Sequence, residues 1–150
     1  MAELLTINGA VNSELSLTYN DLGTLEPRVK VELSGRPATG IPLLNLLKIT
    51  GVQPAATHIT LHAERDSFSA SVPLSAVQDA AVIFEILGSP IDVSKGGPFR
   101  FYIPNAAECA IGEVDECANV KYLNRIELTI GPGKDTRPKT KRAHQELHEN

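Results

Sequence analysis

Gly40-Ile41-Pro42-Leu43-Leu44-Asn45-Leu46-Leu47-Lys48-Ile49-Thr50-Gly51 is the stretch from which the rest of the chain can be placed. Leu43, Leu44, Leu46 and Leu47 fall together at helical spacing, so the stretch reads as an amphipathic helix over 42–50. Pro42 stands where a first helical position would be, and its missing N–H costs nothing there. Gly51 supplies the stop just past the helix end. Immediately upstream, Val29, Val31 and Leu33 alternate with Lys30 and Glu32, the period of a half-buried strand.

Outward from there, strands dominate. Leu4 to Ile7 reads as a short strand followed by an Asn8-Gly9 turn. Thr18-x-x-Asp21 ahead of Leu22 and Leu25 resembles a capping box that opens one helical turn. His58 to His62 forms a strand with Ile59 and Leu61 on one face. Arg65-Asp66-Ser67 turns the chain, and Phe68, Ala70 and Val72 alternate up to Pro73. Ser75 is placed to cap a short helix at 76–80, and Ala81 to Leu87 is an apolar run of the buried-strand kind. Gly88-Ser89-Pro90 and Gly96-Gly97-Pro98 are turns, and Phe99 to Ile103 and Ile126 to Ile130 are the last strands. Short helices scattered among hairpin-linked strands predict an α+β fold, not a regular βαβ sheet. Gly131-Pro132-Gly133 marks the end of the domain at 1–130, and the polar segment 131–150 reads as a flexible charged tail with a frayed helix at 140–148.

Composition narrows the function. Fourteen basic residues against eighteen acidic ones give a net charge of -4, without the basic surplus expected of a nucleic-acid binder. No apolar run approaches the ~18 residues of a membrane span, so no membrane insertion is expected. The start at Met1 shows no basic-then-apolar leader, which favours the cytoplasm; a periplasmic chain whose leader has been removed would read the same. Cys109 and Cys117 are too few for a four-thiolate metal site, and their spacing matches no metal knuckle. They read as free or buried thiols, or as one short disulfide loop. His58 and His62, four apart on a strand, lie about 13 Å apart, too far to share a metal, and read as surface or edge histidines. His144 and His148 would be helical neighbours within the tail. No Gly-x-Ser-x-Gly, P-loop, Gly-x-Gly-x-x-Gly or His-Glu-x-x-His is present. The catalytic and metal-ligating sets are therefore expected to be empty.

One segment carries chemistry: Lys95-Gly96-Gly97-Pro98-Phe99-Arg100, leading into Phe101-Tyr102-Ile103-Pro104. Glycines let backbone approach a ligand closely and present N–H groups to an anion. An arginine just behind them suits bidentate contact with phosphate. Asn119-Val120-Lys121-Tyr122-Leu123-Asn124-Arg125 adds further cations beside a strand. Read locally, the same residues also make a hairpin turn with solvated charges.

In order along the chain stand Leu5-Thr6-Ile7-Asn8-Gly9, Gly-Ile-Pro-Leu-Leu-x-Leu-Leu at 40–47, Asp66 before Val72-Pro73-Leu74, Gly-Gly-Pro-Phe-Arg at 96–100, and Val-Lys-Tyr-Leu-x-Arg-Ile at 120–126. Together they resemble the molybdopterin-binding domain of the sulfite oxidase family, over about residues 4–130. The resemblance implies a mixed, mainly antiparallel α+β fold of that type. It implies molybdopterin as cofactor, with Lys95, Gly96, Gly97, Arg100, Asn119 and Lys121 as its contacts. Arg100 and Lys121 would neutralise the pterin phosphate, and Asn119 would donate to it. Family enzymes also hold molybdenum through a cysteine thiolate, a soft donor, at the end of the strand ahead of the Gly-x-Pro-Leu helix.

Three departures bear on function. Val29 to Pro37 contains no cysteine, and neither Leu33 nor Ser34 replaces a thiolate, so molybdenum is not expected there. The gap between Pro104 and Lys121 is longer than usual in the family, and its Glu108, Glu113, Asp115 and Glu116 would repel a phosphate placed beside them. Lys95 stands where the family carries a histidine or asparagine. These features favour a pterin-phosphate-binding domain without sulfite-oxidase-type catalysis. A second reading is a scaffold on the same fold with no cofactor. It would engage a protein partner through the acidic insertion 105–119, with Arg100 and Lys121 merely paired to Asp66 or Glu127. A third draws a thiolate from Cys109 or Cys117, against the pKa-raising effect of Glu108 and Glu116.

Overall fold

The leucine face at 43–47 forms the helix α2 (Leu43–Thr50), which buries Leu43, Leu46 and Leu47 and leaves Leu44 41% exposed. Pro42 stands one place earlier than the sequence suggests, as the N-cap, and Gly51 N–H closes the helix on Leu47 O at 2.8 Å. In this computed structural model, residues 3–33, 35–104 and 118–137 are described. Around α2 run β1 (Leu5–Gly9), β2 (Leu15–Leu17), α1 (Tyr19–Gly23), β3 (Val29–Leu33), β4 (Arg36–Pro42), β5 (His58–Ala63), β6 (Phe68–Pro73), β7 (Ala81–Ile86), β8 (Ser89–Pro90), β9 (Arg100–Tyr102) and β10 (Arg125–Thr129). The capping box at α1 is complete: Asp21 N donates to Thr18 Oγ1 at 3.1 Å, and Thr18 N donates to Asp21 Oδ2 at 2.9 Å.

Two sheets result. One has the order β2-β1-β10-β5-β6, with β1 and β10 parallel and every other pair antiparallel. The other runs β3-β4-β7, and β8 and β9 both pair with β7. The fold is thus α+β with mainly antiparallel sheets, as the sequence predicts. Leu5, Ile7, Ile59, Leu61, Ile126 and Leu128 of the first sheet share one core with Ile41, Val82, Phe84 and Phe101 of the second, and with the apolar faces of both helices. Each such side chain contributes about 1.5–3 kcal/mol when fully buried.

A bulge organises the second sheet. Gly40 pairs with Ile83 and Thr39 with Glu85, so Phe84 is the extra residue of β7. Phe84 points into the main core with Val82, and the bulge lets Ile83 and Ile86, three apart, share a second cluster with Ala38, Ala81 and Ile91. Tyr19 of α1 stacks edge-on against Phe84 at 5.7 Å and donates its hydroxyl to Glu85. That hydrogen bond raises the Tyr19 pKa above the usual phenol value, with burial adding to it.

Three expectations need correction. No helix forms over 76–80: a single 3-10 turn spans Leu74–Ala76, and the Ala80 carbonyl instead accepts from Leu43 N at 2.8 Å, satisfying the start of α2. His62 is not a surface or edge histidine. It is 6% exposed on a strand paired on both sides, with Nδ1 at 2.9 Å from Ser69 Oγ and Nε2 at 3.0 Å from Glu127 Oε1. Packing also does not stop at residue 130. Gly131 N donates to Thr57 Oγ1 at 2.8 Å and Gly133 N to Ser71 Oγ at 2.9 Å. Thr136 N bonds Ser69 O at 2.7 Å, and Asp135 Oδ2 accepts from Ser71 N at 3.0 Å. The first part of the expected tail therefore lies along β6. Its remainder, with the helix expected at 140–148 and His144 and His148, falls outside the described residues.

Burial would raise the Asp135 pKa, but the Arg137 hydrogen bond and the N–H groups of Ser71 and Arg137 prevail and hold it below the usual carboxylate range. A depressed folded-state pKa gives stability that is present above the unfolded-state pKa and lost as pH falls through the folded one. Asp135→Ala is therefore expected to lower unfolding free energy at pH 7 by about 1.5–3 kcal/mol, the range for charge-assisted bonds. Urea unfolding should show the difference from the parent shrinking as pH drops below the carboxylate range.

Candidate functional site

The glycine turn is built by the chain for itself. Val93–Lys95 makes one 3-10 turn, and Gly96 ends it in the left-handed region at φ 88. Gly96 N donates to Val93 O at 3.1 Å and Gly97 N to Asp92 O at 3.0 Å. The N–H groups expected to face an anion are thus already bonded, a correction to the sequence reading of this turn. The glycines are needed for a different closeness. A Cβ on Gly97 would lie 1.9 Å from Ile91 O, and one on Gly96 would lie 2.9 Å from Lys121 Cβ and Cγ. The stem of Lys121 therefore lies across Gly96.

Four hydrogen bonds stitch this turn to the segment that precedes β10. Tyr122 N donates to Gly96 O at 2.6 Å, Leu123 N to Phe99 O at 2.9 Å and Phe101 N to Val120 O at 2.9 Å. Ile103 N donates to Asn119 Oδ1 at 2.7 Å. Tyr122 takes φ 57 to make this approach. Lys95, Gly96, Arg100, Asn119 and Lys121, spread over the sequence, are thereby brought to one corner. Asn119 has spent its carbonyl oxygen on Ile103, which leaves its Nδ2 as the group able to donate.

Arg100 is the charged centre of the corner. Its side chain is half-buried, and burial alone pulls its pKa below the ordinary guanidinium value. Its one hydrogen bond among the described residues runs from Nη1 to Lys95 O at 3.1 Å. No carboxylate of the described residues pairs with it. Glu127 is engaged by His62 at 3.0 Å and Arg125 at 3.6 Å, and Glu64 by Arg125 at 3.5 Å and Asn124 at 2.7 Å. The pairing of Arg100 or Lys121 with Asp66 or Glu127, which a purely structural role would supply, is not formed. Lys95 and Lys121 are exposed on either side. Arg100 stands opposite Ile83 and Tyr102 opposite Ala81 in the β7–β9 register, so the guanidinium sits on the sheet face that carries the second apolar cluster.

The sequence reading missed one cation. Arg65 holds its guanidinium 4.5 Å above the Tyr122 ring, next to Lys121. Only the β5–β6 turn brings Arg65 near Tyr122, so no local pattern announces the pair.

The metal-ligand position is a different matter. β3 and β4 form a hairpin in which Leu33 pairs with Arg36, and Leu33 packs against the second apolar cluster. Its side chain offers a molybdenum ion no donor, and Ser34, the other residue read at that place, lies outside the described residues. Among the described residues there is no group of three or more His, Cys, Asp or Glu side chains able to hold a metal. Cys109 and Cys117, with Glu108, Glu113, Asp115 and Glu116, lie outside the described residues; of the insertion 105–119 only Ala118 and Asn119 are described. Among the described residues no helix is long and apolar enough to cross a membrane.

Among solved structures, the sulfane dehydrogenase SoxCD from Paracoccus pantotrophus is similar, with a TM-score of 0.71 and 22% identity over 87% of this chain. This chain covers 39% of that one, so the likeness concerns one domain of a longer protein and bears on fold alone. No curated protein matches the chain. The sequence profile of the oxidoreductase molybdopterin-binding domain matches residues 33–136, which takes in α2, the glycine turn, Arg100, Lys121 and the segment along β6. With that match over most of its length, and with the two-sheet fold described above, the chain belongs to the oxidoreductase molybdopterin-binding domain family.

Proposed function

We propose that this domain binds the phosphate-bearing pterin of its family through Arg100, with Lys95 and Lys121 flanking the phosphate and Asn119 Nδ2 donating to it, and that it does not carry out sulfite-oxidase-type catalysis. The observation that carries the reading is Arg100 itself. A guanidinium held half out of water with only a carbonyl partner among the described residues is costly unless an anion completes it. Phosphate matches its planar donor fork, and the half-buried Tyr102 on the same sheet face offers apolar surface beside it. Molybdenum, where the family binds it, supplies redox and oxygen-transfer chemistry. Leu33 gives this chain no thiolate at the expected place, and we assign no step to the metal.

The scaffold reading draws on one observation: the Gly96 and Gly97 N–H groups are satisfied without any ligand. Under it the corner is structural, and a protein partner engages the acidic insertion 105–119. Pterin content of chain purified from a host that makes the cofactor separates the two. Near one pterin per chain supports binding, and none in well-folded protein supports the scaffold.

Arg100→Ala is expected to lose tenfold or more in affinity for the pterin phosphate, since a charge-assisted hydrogen bond contributes about 1.5–3 kcal/mol. Calorimetric titration should show this with little change in the melting temperature of the unliganded chain. An unchanged affinity would sink the assignment. Gly96→Ala is expected to displace Lys121 and strain the left-handed turn. It should cost about 1–2 kcal/mol of stability by denaturant titration and weaken phosphate binding together with it.

A further inference from the structure

β6 is an outer strand of its sheet, and the outward N–H and C=O groups of an edge strand invite another strand to pair. Natural edges are usually blunted by charge, yet Phe68-Ser69-Ala70-Ser71-Val72-Pro73 carries none. Its outward groups belong to Ser69 and Ser71, and the segment Gly133–Arg137 meets all four. Thr136 N donates to Ser69 O at 2.7 Å, and Ser69 N donates to Thr136 Oγ1 at 3.0 Å. Ser71 N donates to Asp135 Oδ2 at 3.0 Å, and Arg137 Nη2 donates to Ser71 O at 2.9 Å. The two side chains are locked together, with Arg137 Nε 3.0 Å from both Asp135 oxygens. Three of the four ladder bonds therefore use a side chain of the segment, where a true strand would use backbone. Such a cover satisfies the edge without extending the sheet.

We infer that Gly133–Arg137 is a removable cover over the β6 edge, and that the uncovered edge pairs with β6 of a second copy of this chain. The self-match follows from the register. Antiparallel pairing of two β6 strands about Ala70 sets Ser69 opposite Ser71 of the other copy, twice. The N–H and C=O groups now held by the cover then exchange in two closely bonded pairs. With no charge on either strand, nothing repels the match.

The test is the full chain carrying Asp135→Ala with Arg137→Ala, followed by analytical ultracentrifugation over a concentration series and amide exchange at Ser69 and Ser71. The parent should stay at 16.1 kDa with both amides protected. The variant should move toward twice that mass as concentration rises. Its two amides should be open in dilute solution and protected again in the dimer. A synthetic peptide of residues 131–137 should return it to monomer. Thr136→Pro, which removes both contacts to Ser69 and leaves the Asp135–Arg137 pair in place, serves as the second variant should the double change impair folding. A folded variant with both amides open that stays monomeric at every concentration overturns the proposal. So does a dimer that leaves those amides open, a parent that dimerises with the cover in place, or retained protection in both variants.

Discussion

The hydrogen bonds between the glycine turn and the segment before β10 are the constraint on which the rest depends. Gly96, Phe99 and Phe101 belong to the run that becomes β9, in the second sheet. Val120, Tyr122 and Leu123 belong to the run that becomes β10, inside the first. Three backbone bonds and the Asn119 cap on Ile103 therefore tie sheet to sheet at the point where Phe101 and Ile103 enter the common core. The same bonds fix the cationic corner. Tyr122 reaches Gly96 O only by taking a left-handed backbone, and that places Lys121 over Gly96, where any side chain would collide with it. Site and scaffold are one set of contacts, so a change to the turn is felt in both.

On the proposed reading, this economy would make the glycines' contribution to ligand binding indirect. Both N–H groups are committed within the turn, and the room the glycines leave is filled by Ile91 backbone on one side and the Lys121 stem on the other. What remains for an anion is side-chain charge: a half-buried Arg100 aimed from β9, and Lys95 and Lys121 in solvent beside it. Half-burial matters here. In full solvent a single guanidinium–phosphate contact is screened to little, whereas at the margin of the apolar face of Ile83 and Tyr102 the effective dielectric is lower and the contact stronger.

Much of this was legible in the sequence, and what was not has physical reasons. The helix read at 42–50, the capping box at Thr18 and the strands read at 29–33, 58–62, 68–73 and 81–87 follow from periodicity and turn chemistry alone, each within a residue of the observed element. β4 was hidden because Arg36–Pro42 holds two prolines and a glycine, residues that normally argue against a strand. It survives by pairing with β3 on one side and, past a bulge, with β7 on the other. His62 looked like a surface histidine because its partners, Ser69 and Glu127, are supplied by neighbouring strands through register, which sequence spacing does not display. The segment 131–137 looked solvated because its apolar content is low. It packs through hydrogen bonds onto the β6 edge at Ser69 and Ser71 and onto Thr57, and hydrophobic patterning is blind to that. Arg100 and Lys121 were visible as residues. That Arg100 would meet no carboxylate among the described residues was not.

On the proposed reading, the absence of a thiolate at Leu33 goes with its packing. Leu33 is an apolar side chain set against the cluster of Ala38, Ile83, Ile86 and Ile91. Those residues reach one face because the Phe84 bulge turns β7 there, and Ile91 is also the residue whose backbone seats Gly97. The leucine thus takes part in the packing that supports the glycine turn, and through it Arg100. A donor atom restored at this place would have to leave that cluster to face a metal.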